Sequence, residues 1–195
     1  MEEIYTQACA YAQEGNYSDA AKYFKKAADQ GHVKAQYNLA LCLHEGLAGY
    51  QAFMEAFHYF KLAATQGHPR AHYMLGCYFA MNLAPYSSEQ EGAEHFRIAA
   101  DAGIEDAQYN YAVCLLEGTG TEKNEEEAIR YLEKAAQVEN PEALYNLGIC
   151  HYMGRGVPPS EEKAIYYLEL AIKKGHGEAS STLTKILTPG NLLLK

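Results

Sequence analysis

Apolar side chains recur along this chain at helical spacing, in short blocks broken by glycine, asparagine and proline. Over residues 2–14, Ile4, Ala8 and Tyr11 share one helical face, and Gly15-Asn16 ends the block. A second helix, from about Ser18 to Gln30, carries Ala20, Tyr23, Phe24, Ala27 and Ala28, with Gly31 as its stop. Beyond it the pattern predicts a helix at about Val33–Glu45, a loop Gly46–Ala52 and a helix to Gln66. Pro69 opens the next helix, to about Met81; after the loop Asn82–Ser87, Ser88 caps one reaching Ala102. Helices follow at about Glu105–Glu117 and Asn124–Gln137, and another opens at Asn140-Pro141. Past the loop from Gly154 to Pro159, Ser160 caps a helix to about Lys174, and a last one spans about Gly177–Leu187.

The blocks return every 36 residues: Ala27-Ala28 recurs as Ala63-Ala64, Ala99-Ala100 and Ala135-Ala136, then as Ala171-Ile172. Phe24, Phe60, Phe96, Leu132 and Leu168 keep the beat, as do Tyr37, Tyr73, Tyr109 and Tyr145, and Gly31, Gly67, Gly103 and Gly175. A fixed period of this size marks a solenoid, whose units bury their cores against their neighbours. The expected architecture is one all-α domain over 1–195, with repeats at about 1–32, 33–68, 69–104, 105–140 and 141–176. A capping helix at about 177–187 and a short tail at 188–195 complete it. From Ala8 the first-helix position recurs at Ala40, Gly76, Ala112 and Gly148, so the first interval is 32 and the first hairpin has a loop four residues shorter. Ala8, Ala20 and Ala27 are small where two helices approach closely, with Tyr11 and Phe24 filling the space between.

Composition adds exclusions. A hydrophobic share of 48% is enough to build a core. A net charge of -9 argues against non-specific binding to nucleic acid or anionic membranes. No run approaches the ~18 apolar residues of a membrane span, and Met-Glu-Glu-Ile has neither the basic nor the apolar region of a signal peptide. Cys42, Cys114 and Cys150 share one repeat position, and Cys9 and Cys77 sit one residue earlier in theirs. Equivalent positions in stacked helices lie about 8–10 Å apart, beyond the ~7 Å a disulfide allows. Buried free thiols in a reducing compartment, hence a cytoplasmic protein, are expected. No Cys-x-x-Cys, phosphate loop, dinucleotide fingerprint or paired-histidine zinc helix is present, so no metal, cofactor or enzymatic activity is expected. His32, His68 and His176 follow glycine at a helix-end position, where capping accounts for them. The acidic run Glu122–Glu127 opens a helix, where it complements the dipole.

The stretches Ala35–His68 and Ala143–His176 contain Ala-x-Tyr-x-Leu, a glycine-bearing loop, then an aromatic-rich helix ending at Ala63-Ala64 in the first and Ala171-Ile172 in the second. These features resemble Sel-1-like repeats, longer-loop cousins of tetratricopeptide repeats. The resemblance is strong over about 33–176; residues 1–32 look like a tetratricopeptide-like variant. The third loop has Asn82 and Ala84 where glycines belong, and the second spaces Gly46 and Gly49 differently, so both are expected to take their own conformations. The resemblance implies a right-handed α/α solenoid superhelix of five helix-turn-helix repeats, used as an adaptor or scaffold for other proteins. Some cysteine-rich relatives have been linked to penicillin binding, but they carry paired, disulfide-bonded cysteines in each repeat, which this chain lacks.

In such a solenoid the first helix of each pair lines the concave face. Tyr37, Leu41 and His44 form one stripe there, repeated as Tyr73, Cys77 and Ala80, as Tyr109, Val113 and Leu116, and as Tyr145, Ile149 and Tyr152. These rings suit a partner-binding row, with apolar bodies and polar tips; the competing reading is inter-repeat core. Asn38, Asn110 and Asn146 flank them, with Met74 interrupting, and in related tetratricopeptide proteins an asparagine here bonds the backbone of an extended peptide. A carboxamide both donates and accepts, which suits that task; a bond to the neighbouring repeat is the alternative. One turn toward the helix start, Lys34 and Arg70 are followed by Asp106, Glu142 and Glu178, a change of sign matching a bound segment of opposite polarity, or an ordinary solvated face. The expected function is a non-catalytic scaffold binding a peptide or protein partner. A self-associating structural module, or the repeat region of a larger signalling protein, is the alternative.

Overall fold

A computed structural model describes residues 1–188; the expected leucine-rich tail, Asn191–Lys195, lies outside the described residues. Among the described residues there are eleven α-helices and no strand. They are α1 (Glu2–Gln13), α2 (Tyr17–Ala28), α3 (Val33–Glu45), α4 (Phe53–Thr65), α5 (Pro69–Ala80) and α6 (Glu89–Asp101). There follow α7 (Glu105–Glu117), α8 (Glu125–Gln137), α9 (Pro141–Met153), α10 (Glu161–Lys173) and α11 (Ala179–Leu187). Two compact units are present, one Met1–Ala99 and the other from Ala100 onward, dividing inside α6.

In the first unit, α1 packs on α2 and α3 on α4, and each hairpin leans on the next through α2 against α3 and α4 against α5. The second unit repeats the scheme with α7 on α8, α8 on α9, α9 on α10 and α11 against α10. The first hairpin turns over three residues, 14–16, where the second needs seven, 46–52, so the shorter first loop is observed. The expected caps act so: the side chains of Ser88, Asn140 and Ser160 accept the backbone N–H three residues on, and Asn16, read as a helix breaker, and Asn124 do the same for α2 and α8.

Helix ends are closed by one recurring turn. His32 and Gly31 donate their N–H groups to the carbonyls of Ala27 and Ala28, at 3.1 and 2.8 Å. His68 and Gly67 do so on Ala63 and Ala64, and His176 and Gly175 on Ala171 and Ile172. This turn needs a left-handed residue, hence glycine. In the fourth repeat Glu139 holds the place at φ 61°, with Asn140 and Glu139 donating to Ala135 and Ala136. Its carboxylate pairs with Lys174.

The loops after the first helices share a second left-handed residue: Gly46, Gly118 and Gly154, and in the third repeat Asn82 at φ 54°. Asparagine tolerates this region better than other side chains. The next N–H, of Leu47, Leu83, Thr119 or Arg155, bonds the carbonyl five residues back in all four. The expectation of a separate conformation for the third loop therefore fails at its first turn. The carboxylate of Glu125, in the acidic run, is held by Lys123 and by Arg155, whose Nη2 also donates to the Leu116 carbonyl at 2.9 Å.

Small residues set the helix approach. Ala8, Ala40 and Ala112 are fully buried, and at the equivalent Gly76 and Gly148 a Cβ would sit 2.6 Å from Phe96 Cδ1 and 2.8 Å from Leu168 Cγ. Two stability measurements check this account. Gly76→Ala should destabilise by roughly 1–3 kcal/mol in urea unfolding, because the core ring cannot retreat, even though alanine favours helix by about 1 kcal/mol. Glu139→Gly should raise the unfolding free energy measured in urea by about 0.5 kcal/mol, since relief of the left-handed backbone exceeds the loss of one exposed ion pair.

Candidate partner-binding surface on the first helices

Three helices of the expected row, α3, α5 and α9, are capped by the side chain of the residue just before them. His32 and His68 accept the N–H of Ala35 and Ala71 on Nδ1, at 3.1 and 3.3 Å. Each of these histidines also lies flat on the tyrosine of the preceding first helix: Tyr5 on His32 and Tyr37 on His68, centroids 4.4 Å apart in both. In the second unit Tyr145 stacks on His176 at 4.2 Å. His32 and His68 therefore cap the helix that follows them, and all three histidines form a platform for the ring behind.

All the row tyrosines are half-buried. Tyr37 also meets Phe60 and, at its hydroxyl, the guanidinium of Arg70; burial raises its pKa and the Arg70 charge opposes that. Tyr5 is pushed up to about 12, chiefly by burial, with Cys9 adding to the rise. Tyr73 lies beside Phe96. In the second unit burial raises Tyr109, while the Asn146 side chain bonded to its hydroxyl works the other way. The bodies of Tyr5 and Tyr37 thus pack on the second-helix aromatic and the closing histidine of their own repeat, and the hydroxyls of Tyr5, Tyr37 and Tyr109 meet polar groups of the next one.

The asparagines take part in that arrangement. Asn38 Nδ2 donates to Tyr5 Oη at 3.3 Å, and Asn146 meets Tyr109, each tying a first helix to the one before. Asn110 is half-buried on α7 beside Tyr109 in sequence. His44 turns away from the row: its ring meets Phe53 of its own hairpin edge-on, and its Nδ1 pairs with Oη of Tyr78, on α5 of the next repeat, at 2.9 Å. Leu41 and Val113 are half-buried, and Lys34 is exposed.

Three expected residues converge. Tyr145, Ile149 and Tyr152 line a groove of about 180 Å3 between α9 and α11, completed by Met153, Thr182, Lys185 and Ile186. Tyr145 Oη and Thr182 Oγ1 are 3.2 Å apart at its edge. An apolar cavity of about 150 Å3 accepts a benzene ring, so this groove has room for one large apolar side chain. Lys185 is its charged lining residue.

A connection absent from the sequence reading lies behind the row. Gln36 and Gln108 are buried and donate Nε2 to the carbonyls of Ala28 and Ala100 at 3.3 and 3.4 Å. His72 does the same to Ala64 at 3.1 Å. Their 36-residue spacing was the available signal; a buried amide in an apolar stripe marks a bond that must be made. The thiols of Cys42 and Cys150 are buried, which pushes both up to about 11 and leaves them protonated at neutral pH. Among the described residues no three side chains of metal-ligating type converge, and no helix is long and apolar enough to cross a membrane.

A family model for the Sel1 repeat matches residues 11–32, 33–68, 69–104, 105–138 and 141–176. The chain belongs to the Sel1 repeat family. A Sel1 repeat protein from Oxalobacter formigenes is 25% identical and superposes with a TM-score of 0.82 over 98% of this chain and 78% of that one. The protective antigen c5321 of uropathogenic Escherichia coli, 24% identical, gives a TM-score of 0.77 over 84% of this chain and 35% of its own, a likeness of fold alone. DAP3-binding cell death enhancer 1 of Rattus norvegicus and of Mus musculus is 59% identical over 32 residues, 16% of this chain and only 6% of those proteins. Sel1 repeats generally form α/α solenoids that serve as non-catalytic scaffolds for protein–protein interaction.

The bonds behind the row and those on it differ in burial, and so in cost. Gln36→Met or Gln108→Met should each lose about 1–2 kcal/mol of stability, because a buried alanine carbonyl forfeits an amide partner. Asn38→Ala should lose less than about 1 kcal/mol, since its bond is half-exposed. Chemical denaturation of the three variants checks the order.

Proposed function

We propose that this Sel1 repeat chain binds a peptide segment of a partner protein along its first helices, with an apolar side chain of that segment seated between α9 and α11. The groove lined by Tyr145, Ile149 and Tyr152 carries this reading, because it is concave, mostly apolar and edged by hydroxyls and one ammonium group. A pocket of that kind anchors a peptide, and the surrounding half-buried tyrosines supply area at little cost in side-chain entropy. The role of the asparagines in this reading is to fix the tyrosine hydroxyls, with Asn38 and Asn146 placed against them. Contact of Lys34 and Arg70 with an acidic stretch of the partner belongs to the same proposal, as does a cytoplasmic site of action.

Self-association is favoured by a different observation. Leu187 is 55% exposed, whereas Leu43, Phe79 and Leu115 at the same repeat position are 2–6% exposed under their second helices. Ile172 is 37% exposed where Ala28, Ala64 and Ala100 are covered. These side chains form a bare apolar end that a second copy could cover.

Affinity capture with the wild type and with Ile149→Arg tests the groove. Partners recovered by the wild type should be lost from the variant, while its helical circular dichroism and melting point stay within a few degrees. Equal recovery would remove the groove from the binding surface. Light scattering over a range of concentrations tests the other reading: a mass that rises with concentration and returns to the monomer in Leu187→Asp supports it, and a constant monomer mass dismisses it.

A further inference from the structure

The third repeat departs from its neighbours at two positions at once. Where the second and fourth have Gln36 and Gln108, it has His72; where the others have Tyr23, Tyr59, Tyr131 and Tyr167, it has His95. Tyr59 and Tyr131 use their hydroxyls on Asp29 and Asp101, at 3.0 and 2.6 Å. His72 and His95 instead face each other, Nδ1 to Nδ1, at 2.9 Å.

The proton positions on these rings follow from the partners. His72 Nε2 lies 3.1 Å from the Ala64 carbonyl, which can only accept, so Nε2 carries the hydrogen and neutral His72 offers a lone pair on Nδ1. His95 Nδ1 must then be the donor. The His95 ring also stacks on Phe79, with centroids 6.0 Å apart. One chain of bonds therefore runs from His95 on α6 through His72 on α5 to the end of α4.

We propose that His72 and His95 form an acid-operated latch that ties α5 to α4 and α6 and lets go when the pair is protonated. A first proton goes to the free Nε2 of His95, and the one N–H between the rings, on His95 Nδ1, still donates to His72 Nδ1. A second proton sets two N–H groups and two charges against each other across 2.9 Å. Burial is the main force on both rings and holds each below the usual histidine range, His95 at about 4. The charges around the pair come from all three helices: Glu91 and Glu94 on α6 favour protonation, Lys61 on α4 opposes it, and His68 at the start of α5 faces His72. Glu94 is itself held by Arg97 at 2.6 Å.

The direction of the effect follows from these shifts. In the open state both rings return to about 6.5, so opening takes up protons. The latch is at full strength above about pH 6.5 and weakens as pH falls from there toward about 4, where His95 titrates in the closed state. The device needs no ligand and is independent of the binding groove.

Amide exchange over α6, corrected for intrinsic rates, should show the wild-type opening constant rising about ten-fold or more between about pH 7 and about pH 5. The double variant His72→Gln/His95→Tyr, which restores the residues of the other repeats, should show little rise. Nitrogen NMR of the wild type at neutral pH should find His72 protonated on Nε2 and His95 on Nδ1. An equal acid response in wild type and variant would overturn the latch. So would NMR titration of both rings near the ordinary histidine value, which decides the matter even if the variant does not fold.

Discussion

The last turn of a helix leaves carbonyls with no partner inside the helix, and burying one unpaired costs about 1–3 kcal/mol. Here those carbonyls belong to the alanine pairs, most of which are buried. The repeat meets this demand with backbone from the left-handed turn and with one amide or imidazole from the next first helix, as at Ala28, Ala64 and Ala100. The spacing between repeats is therefore tied to the chemistry of a helix end, and the 36-residue beat is kept most strictly there.

That arrangement decides what remains for recognition. With alanines and buried glutamines committed to the joints, the tyrosine row is held from behind by histidine platforms and from the side by asparagines. In the proposed binding mode, a row fixed in this way would present the same side chains with or without a partner and so lower the entropy lost on binding. The groove between α9 and α11 lies where Tyr145 and Ile149 face a helix of small and aliphatic residues.

The third repeat shows how far the scheme tolerates substitution. Asn82 replaces glycine without changing the turn, because its short side chain accepts the left-handed region. His72 replaces glutamine and keeps the bond to the Ala64 carbonyl, but brings an ionisable ring whose pKa burial lowers. Fold and charge behaviour separate at this position: the imidazole satisfies the same carbonyl and adds a sensitivity that the amide lacks.

The helices, their hairpin pairing, the short first loop and the Sel1 repeat itself were legible in the sequence, because each follows from local preference or from a pattern that repetition makes visible. Repetition fails where one repeat reads its neighbour. Asn38 meets Tyr5 across 33 residues, and His44 turns to Tyr78 across 34 rather than to the tyrosine row. Which partner a half-buried polar side chain takes depends on rotamers and on what the adjacent helix offers within about 3 Å, and no period encodes that. The sequence by itself determined the repeat and the faces of its helices, since both follow from side-chain size and polarity at fixed spacing. Only the tertiary structure decided the hydrogen-bond partners, the groove and the histidine pair, because these exist only once separate helices lie side by side.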